Sequence, residues 1–233
     1  MPIFLSSRDT QIREKMDNPD CDIDLLKNTY RQFSTINKLL GGWRGIYRRF
    51  IKPMGRSSDR PISILDIGCG GGDIVKYLSK LSGQHNLDVI FTGIDPDHRA
   101  IEFARNNCSQ TNIKFRQVTS SQLVEQSERF DIVISNHLLH HLQEEQLLKL
   151  CRDAEQLCQK LVLFNDIERS DLGYAAFRTI SPMLFRNSFI SEDGITSIKR
   201  SFTIDELRNT VPDQWLVQRK FPFRLLATYR PED

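Results

Sequence analysis

The feature that most constrains the fold is a glycine-rich turn between a strand-like segment and a helix-like one. The β-branched run 62–67 (ISILDI) leads directly into residues 68–72 (GCGGG), and a helical pattern begins at about Asp73. Because glycine carries no Cβ, such a turn lets backbone amides approach a bound molecule at the carboxyl edge of a sheet. The chain is therefore expected to place a ligand site at the end of this strand.

The same strand and helix alternation continues along the chain. Further short apolar runs are DVIFTGI (88–94), IKFRQV (113–118), FDIVIS (130–135) and LVLFND (161–166), with helical patterns from about Asp97 and Glu144. Such alternation predicts βαβ units and a parallel sheet. The tail segments QWLVQRKF and FRLLATYR are close enough in sequence to pair antiparallel at the sheet edge. The prediction is a doubly wound α/β fold with a seven-stranded, mostly parallel sheet and an antiparallel edge strand.

The chain is expected to divide at about residue 60. Residues 1–20 are polar and contain Asn18-Pro19, which predicts a poorly ordered lead-in. Helical patterns over 22–40 and 43–52 predict cap helices before the main domain, 61–233. The stretch 167–203 mixes aromatic residues, glycines and a proline where a short connection would suffice, so it is expected to be a lid or substrate insertion.

Composition narrows the classes of partner. The 32 basic and 30 acidic residues nearly cancel, so nucleic acid is not expected as a partner. The five cysteines are scattered without C-x-x-C spacing, and the first residues resemble neither a secretory signal nor a membrane span. A cytoplasmic location is therefore expected. The basic helix 43–52 leaves open a peripheral contact with a membrane.

The glycine pattern distinguishes between possible cofactors. A dinucleotide fingerprint would place glycine at Asp73, whose carboxylate repels a pyrophosphate, and no phosphate-binding lysine follows the turn. The pattern present is D-x-G-x-G-x-G, formed by Asp66, Gly68, Gly70 and Gly72. Here the sequence resembles the class I S-adenosylmethionine-dependent methyltransferases. The resemblance implies a Rossmann-like methyltransferase fold, S-adenosylmethionine as methyl donor and S-adenosylhomocysteine (SAH) as product.

The resemblance also implies cofactor-binding residues. Asp66 suits the positively charged methionine end, with Cys69 in the turn beside it, and Asp95 at the tip of the second strand suits the ribose hydroxyls, with Pro96 following. The third family position, usually an aspartate near the adenine amino group, departs from the pattern here. Thr119 or Ser120 is the expected substitute, and Asn136 is added at the end of the fourth strand.

Catalytic chemistry is expected directly after that fourth strand. The segment NHLLHH (136–141) resembles the corresponding part of small-molecule methyltransferases related to ubiquinone and menaquinone biosynthesis enzymes. A histidine can remove an acceptor proton near neutral pH, and His140 and His141 are favoured over His137. Related quinone O-methyltransferases carry Glu-x-x-Glu-His here, so a divalent ion on the three histidines is an alternative, as is simple packing. No metal site is assigned.

The acceptor is expected to be a small organic molecule, aromatic or lipophilic. Within the insertion, four aromatic and two basic side chains would form an apolar pocket with cationic handles, or simply core: Tyr174, Phe177, Phe185, Phe189, Arg178 and Arg186. The sequence favours O-methylation of a phenolic, quinol or polyketide-type compound. C-methylation, RNA methylation and a catalytically silent cofactor-binding subunit remain alternatives.

Overall fold

A seven-stranded sheet of order β3-β2-β1-β4-β5-β7-β6 organises the computed structural model, which describes residues 2–232. The strands are β1 (Ile62–Ile67), β2 (Val89–Ile94), β3 (Ile113–Arg116), β4 (Phe130–Asn136), β5 (Cys158–Ile167), β6 (Leu216–Lys220) and β7 (Arg224–Tyr229). Strands β1 to β5 run parallel, whereas β7 runs antiparallel to both β5 and β6. The predicted fold class is confirmed.

The central strands are buried on both faces, as a parallel sheet covered by helices requires. Along β1, Ile64 packs into one apolar cluster and Leu65 into the other, and Ile132 and Val133 of β4 divide in the same way. This two-residue alternation follows from the pleat of a strand. Two cores therefore hold the sheet between them, and the carboxyl ends of β1, β2, β4 and β5 meet at one edge.

Cap helices precede the sheet, as the sequence predicts. Helix α1 (Ile23–Leu40) begins at Asp22, whose side chain accepts hydrogen bonds from two backbone amides of the first turn. Helix α2 (Trp43–Ile46), a π-helical segment (Tyr47–Ile51) and α3 (Lys52–Arg56) then follow without a break. Trp43 and Tyr47 are fully buried in the sheet core. The apolar side of this basic helix is thus buried in the protein core.

Residues 3–17 form what we call the N-terminal strap, and the prediction of a poorly ordered lead-in is wrong. The Asp171 carboxylate accepts hydrogen bonds from the amides of Ile3, Phe4 and Leu5. Farther along, the Asp193 carboxylate accepts from the amides of Lys15 and Met16 at 2.7 and 3.0 Å. Tertiary partners far away in sequence therefore fix a segment that has little secondary structure of its own.

The remaining helices cover the sheet and build the insertion. They are α4 (Asp73–Gln84), α5 (His98–Asn106), α6 (Ser120–Glu125), α7 (Glu144–Leu157), α8 (Asp171–Leu184), α9 (Ile190–Arg200) and α10 (Ile204–Thr210). The insertion expected at 167–203 thus consists mainly of two packed helices, α8 and α9, rather than irregular chain. Within residues 2–232, no helix is long and apolar enough to span a bilayer.

Candidate functional site

A cavity of about 860 Å³ opens at the carboxyl edge of the sheet. The glycine turn and the end of β4 form its floor, while the strap, α1, α8 and α9 form its walls. Parallel α/β sheets bind ligands at this edge, where loops from neighbouring strands meet. The cavity is lined by all three predicted histidines and by most of the predicted cofactor residues.

The glycine turn has backbone conformations that only glycine adopts readily. Gly68, Gly70 and Gly72 have φ angles of +71°, +50° and +73°. The amide of Gly70 donates a hydrogen bond to the Asp95 carboxylate at 3.0 Å, which ties the turn to the end of β2. Gly72 starts α4 and lies outside the cavity lining, where a Cβ atom would come within 2.5 Å of the Phe115 ring. Its role in the structure is therefore close packing of turn and sheet.

Asp66 is a buried carboxylate in the cavity lining that lacks a partner. Its side chain is 1% exposed, and within residues 2–232 neither carboxylate oxygen has a hydrogen-bond donor. Burial, together with the nearby charges of Asp73 and Asp95, raises the pKa of Asp66 well above its usual range. A cation bound beside it would restore the charged form. The methionine ammonium of S-adenosylmethionine is a cation of this kind, so the floor fits that cofactor.

The other predicted cofactor residues separate into two groups. Cys69, Asp95, Pro96 and Asn136 line the cavity together with Gly68 and Gly70. Thr119 and Ser120 do not line it. Thr119 caps α6 through Gln122, and the Ser120 hydroxyl donates to Asp153 at 2.7 Å. The structure therefore places neither hydroxyl in the cavity wall.

Asn136 holds together four elements beneath the cavity. Its side-chain oxygen accepts hydrogen bonds from Trp43 at 2.9 Å, from Asn165 at 3.0 Å and from Arg224 at 2.9 Å. Its amide nitrogen donates to Asn37 of α1 at 3.2 Å. With both polar atoms of the side chain hydrogen-bonded, Asn136 fixes the floor of the site.

His140 lies between two carboxylates. Its Nδ1 is 2.7 Å from Asp166 and its Nε2 is 3.2 Å from Glu14, and all three side chains are almost completely buried. Burial alone would lower the pKa of His140, but the attraction of Asp166 and Glu14 raises it to about 9. His140 is therefore a protonated, doubly hydrogen-bonded imidazolium at neutral pH.

The other two histidines have different surroundings. His137 accepts a hydrogen bond from Arg224 at its Nε2, at 2.8 Å, and burial together with the Arg224 charge holds its pKa well below the usual range. His141 is 24% exposed, and its Nδ1 lies 3.2 Å from the Asp17 carboxylate. The three neighbouring histidines thus contact different groups: His137 contacts an arginine, His140 contacts two carboxylates, and His141 lies beside Asp17.

The side chains that could share a metal ion are not the predicted trio. Potential ligand atoms of Glu14, His140 and His141 lie within 4.8 Å of one another. His137 is outside this group because its Nε2 faces Arg224. A metal on this cluster would have to displace the proton of His140, which both Asp166 and Glu14 stabilise.

The apolar part of the cavity comes from α8 together with α1. Phe177 and Phe185 line it as predicted, joined by Ile180 and Leu184. Tyr174 and Phe189 do not line it, and neither do Arg178 and Arg186. The cation in the wall is Arg224, at the start of β7, which the sequence pattern did not single out.

Sequence reasoning therefore missed four polar residues of the site: Glu14, Asp17, Asp166 and Arg224. Asp166 had a usable signal, because it ends the predicted strand LVLFND at the same edge as Asp66 and Asp95. Glu14 and Asp17 lie in the segment predicted to be poorly ordered. Arg224 lies within a predicted edge strand and carried no signal of its own.

Comparison with known proteins agrees with this geometry. Residues 64–160 match a family described as a methyltransferase domain. A ubiquinone biosynthesis O-methyltransferase of Coxiella burnetii (strain RSA 493 / Nine Mile phase I) is 32% identical over 114 residues, covering 48% of this chain and 46% of that protein. A protein of the same name from Pelagibacter ubique (strain HTCC1062) is 29% identical over 93 residues, covering 38% and 36%. The chain thus spans less than half the length of these relatives.

Solved structures share the fold over most of the chain. The plantazolicin methyltransferase BpumL in complex with SAH has a TM-score of 0.58 at 16% identity, covering 92% of this chain and 91% of that one. The magnesium protoporphyrin IX methyltransferase of Synechocystis PCC 6803 with bound SAH has a TM-score of 0.52 at 14% identity, with 89% and 85% covered. Together with the motif, these findings show that residues 64–160 match a methyltransferase domain and that the chain shares the fold of methyltransferases solved with SAH.

Proposed function

We propose that this protein transfers a methyl group from S-adenosylmethionine to a small organic acceptor, most favourably by O-methylation of a phenolic, quinol or polyketide-type compound. The observation that carries the proposal is the shared cavity. It joins the glycine turn and Asp66, which suit the cofactor, to a histidine cluster and an apolar wall that suit an acceptor. The relatives named as O-methyltransferases of ubiquinone biosynthesis support the same choice.

The cofactor is held by the floor of the cavity. Asp66 would pair with the methionine ammonium, the amides of the glycine turn would face the carboxylate, and Asp95 would accept from the ribose hydroxyls. When bound, S-adenosylmethionine supplies an electrophilic methyl group on its sulfonium. The task left to the protein is to orient the acceptor, exclude water with α1 and α8, and remove one proton.

His141 is the base that the geometry favours. Asp17 next to Nδ1 orients the ring and leaves Nε2 as the proton acceptor. Nε2 is 3.6 Å from Glu14, beyond hydrogen-bond distance, and His141 lines the cavity, so Nε2 is the ring nitrogen assigned to the acceptor hydroxyl. His140 is unsuited because both of its ring nitrogens are engaged, and the Nε2 of His137 is engaged by Arg224.

The first experiment is calorimetric titration of the protein with SAH, with NAD and ATP as controls. Micromolar binding of SAH alone supports the cofactor assignment, and no binding of SAH overturns the proposal. Labelled methyl transfer to phenols, quinols and RNA would then identify the acceptor class. NMR of the product distinguishes O-methylation from C-methylation.

The base is tested with matched histidine variants. His141→Ala is expected to lower the methylation rate by roughly 100-fold or more while SAH affinity stays unchanged, because general bases contribute about that much. His98→Ala is the control, since His98 is exposed at the start of α5 and outside the cavity. Equal rates in the two variants would remove His141 from the mechanism.

A further inference from the structure

One cation in the cavity wall remains unexplained by methyl transfer itself. Arg224 begins β7 beside the end of β5 and is only 5% exposed. Its guanidinium donates to two neutral acceptors, His137 Nε2 at 2.8 Å and Asn136 Oδ1 at 2.9 Å. Within residues 2–232 its Nε atom has no hydrogen-bond partner. A buried arginine normally pairs with a carboxylate or phosphate, because burial of an unpaired charge is costly.

The carboxylate that attracts this guanidinium makes no hydrogen bond to it. Asp166 attracts Arg224, yet its two oxygens accept hydrogen bonds from the ring and backbone nitrogens of His140 and from the amide of Ile167. His140 is itself cationic, and Glu14 on its far side balances it further. Burial lowers the pKa of Arg224 only to about 10, so the guanidinium stays charged at neutral pH. The Arg224 guanidinium therefore has no carboxylate hydrogen-bonded to it within residues 2–232, and its hydrogen-bond acceptors are both neutral.

The surroundings of this charge restrict what can bind it. The same cavity is lined by Phe33 and Ile36 of α1 and by Phe177, Ile180 and Leu184 of α8. An anion entering such a cavity is held best if the rest of the molecule is apolar. The guanidinium presents planar N–H donors whose geometry matches a carboxylate or a similar acidic oxygen.

We propose that Arg224 recognises an acidic oxygen of the acceptor, so that the substrate class is an apolar organic acid, carrying a carboxylate or an ionised phenolic or enolic oxygen. This inference rests on the proposed methyltransferase function and deepens it. The methionine carboxylate of the cofactor has the same chemistry, and the experiment separates the two sources. In this arrangement Asp66 serves the cofactor ammonium and Arg224 serves the acceptor anion.

The test compares a charged probe with its neutral analogue. In the presence of SAH, wild-type protein is titrated with 1-hydroxy-2-naphthoate and with 1-hydroxy-2-naphthamide, followed by calorimetry. We expect the acid to bind about tenfold or more tightly than the amide, as for a charge-assisted hydrogen bond. Wild-type protein that binds both equally overturns the proposal without any variant.

Variants assign the preference to the residue. Arg224→Gln is expected to bring the acid-to-amide affinity ratio close to one and to change SAH affinity by less than about twofold. Arg178→Gln is the matched control, because Arg178 is a cation of α8 that lies outside the cavity lining. It is expected to keep the wild-type ratio. Arg224→Lys, which keeps the charge, is expected to retain part of the acid preference.

Two other outcomes contradict the inference. A ratio in Arg224→Gln equal to that of wild type excludes Arg224 from acid recognition. An unchanged ratio combined with a tenfold loss of SAH affinity assigns Arg224 to the cofactor carboxylate instead. Absence of SAH binding to wild-type protein is a failure of the proposed function, and the acid and amide titrations without SAH then still test Arg224 separately.

Discussion

Two groups of residues around the cavity treat buried charge in opposite ways. The cofactor half consists of Asp66, residues 68–71 and Asp95. The acceptor half consists of Glu14, His137, His140, His141 and Arg224, with Asp166 behind His140. Within residues 2–232 the buried Asp66 carboxylate has no hydrogen-bond donor, so its charged form needs a cationic ligand beside it. Asp166 is equally buried, but it accepts from His140, and its pKa is held well below the usual range despite burial. Both residues lie near the carboxyl ends of parallel strands. Two carboxylates in similar positions thus differ: Asp66 lacks a hydrogen-bond donor, whereas Asp166 belongs to a network of hydrogen bonds within the protein.

The largest predicted effect comes from a substitution that breaks the hydrogen-bond network of the acceptor half. Asp166→Asn removes the negative charge beside the protonated, buried His140. Loss of one partner from a buried ion pair costs about 3–5 kcal/mol of the free energy of unfolding. Urea denaturation monitored by circular dichroism measures it. A loss below about 1 kcal/mol would mean that His140 is neutral in the folded protein.

The second prediction concerns how the free energy of unfolding depends on pH through His140, in the same hydrogen-bond network. The pKa of His140 is raised from 6.5 to about 9 on folding, so its stabilising contribution is complete below pH 6.5 and is lost as the pH rises through 9. Each pKa unit corresponds to about 1.4 kcal/mol, so this loss of folding free energy amounts to ~3 kcal/mol. Urea denaturation of wild-type protein at pH 6 and pH 9.5 measures the difference. His140→Gln should show a much smaller difference, whereas His98→Gln should behave like wild type.

The third prediction tests the cofactor half through its ligand. Asp95→Ala is expected to weaken SAH binding by about 1.5–3 kcal/mol, the range for hydrogen bonds to a charged group. Calorimetric titration gives the value directly. The carboxylate also accepts from the Gly70 amide, so the variant loosens the turn as well. Unchanged affinity would remove Asp95 from the cofactor site.

The fourth and smallest effect has the opposite sign to the first. Asp66→Asn replaces an unpartnered buried carboxylate with a neutral group of the same shape, and it should raise the free energy of unfolding without ligand by about 1–2 kcal/mol. SAH binding should weaken in the same variant. Urea denaturation with and without SAH measures both. Destabilisation of the ligand-free protein would show that Asp66 has a stabilising partner.

The sequence predicts where Asp66, the glycine turn and Asp95 lie in the fold because the signals for these positions are local. The segment ISILDI is a strand over the same residues in the structure, and the glycines follow it directly. Asp66 and the glycine turn lie within seven residues, so their relation is fixed by the strand and turn alone. Asp95 follows from the next parallel strand, whose carboxyl end must reach the same edge.

The acceptor half could not be predicted in the same way. Glu14 and His140 are 126 residues apart, and His137 and Arg224 are 87 residues apart, so only tertiary packing brings them together. The helices of the insertion were missed because Gly173 and Gly194 look like breaks in a helix. In the structure they provide space instead. A Cβ atom at Gly194 would lie 2.4 Å from the ring of Phe177, so the glycine lets α8 and α9 pack closely.

The hydrogen bond between Trp43 and Asn136 gives this protein an internal optical reporter. The chain contains two tryptophans, and the indole of Trp43 is completely buried one hydrogen bond away from a residue that lines the cavity. Trp215 lies elsewhere, stacked on Tyr229 in the other core cluster. In a Trp215→Phe protein, all tryptophan fluorescence comes from Trp43, one hydrogen bond behind the cavity floor. Ligand entry is expected to change this emission, which would report binding without a label or a coupled assay.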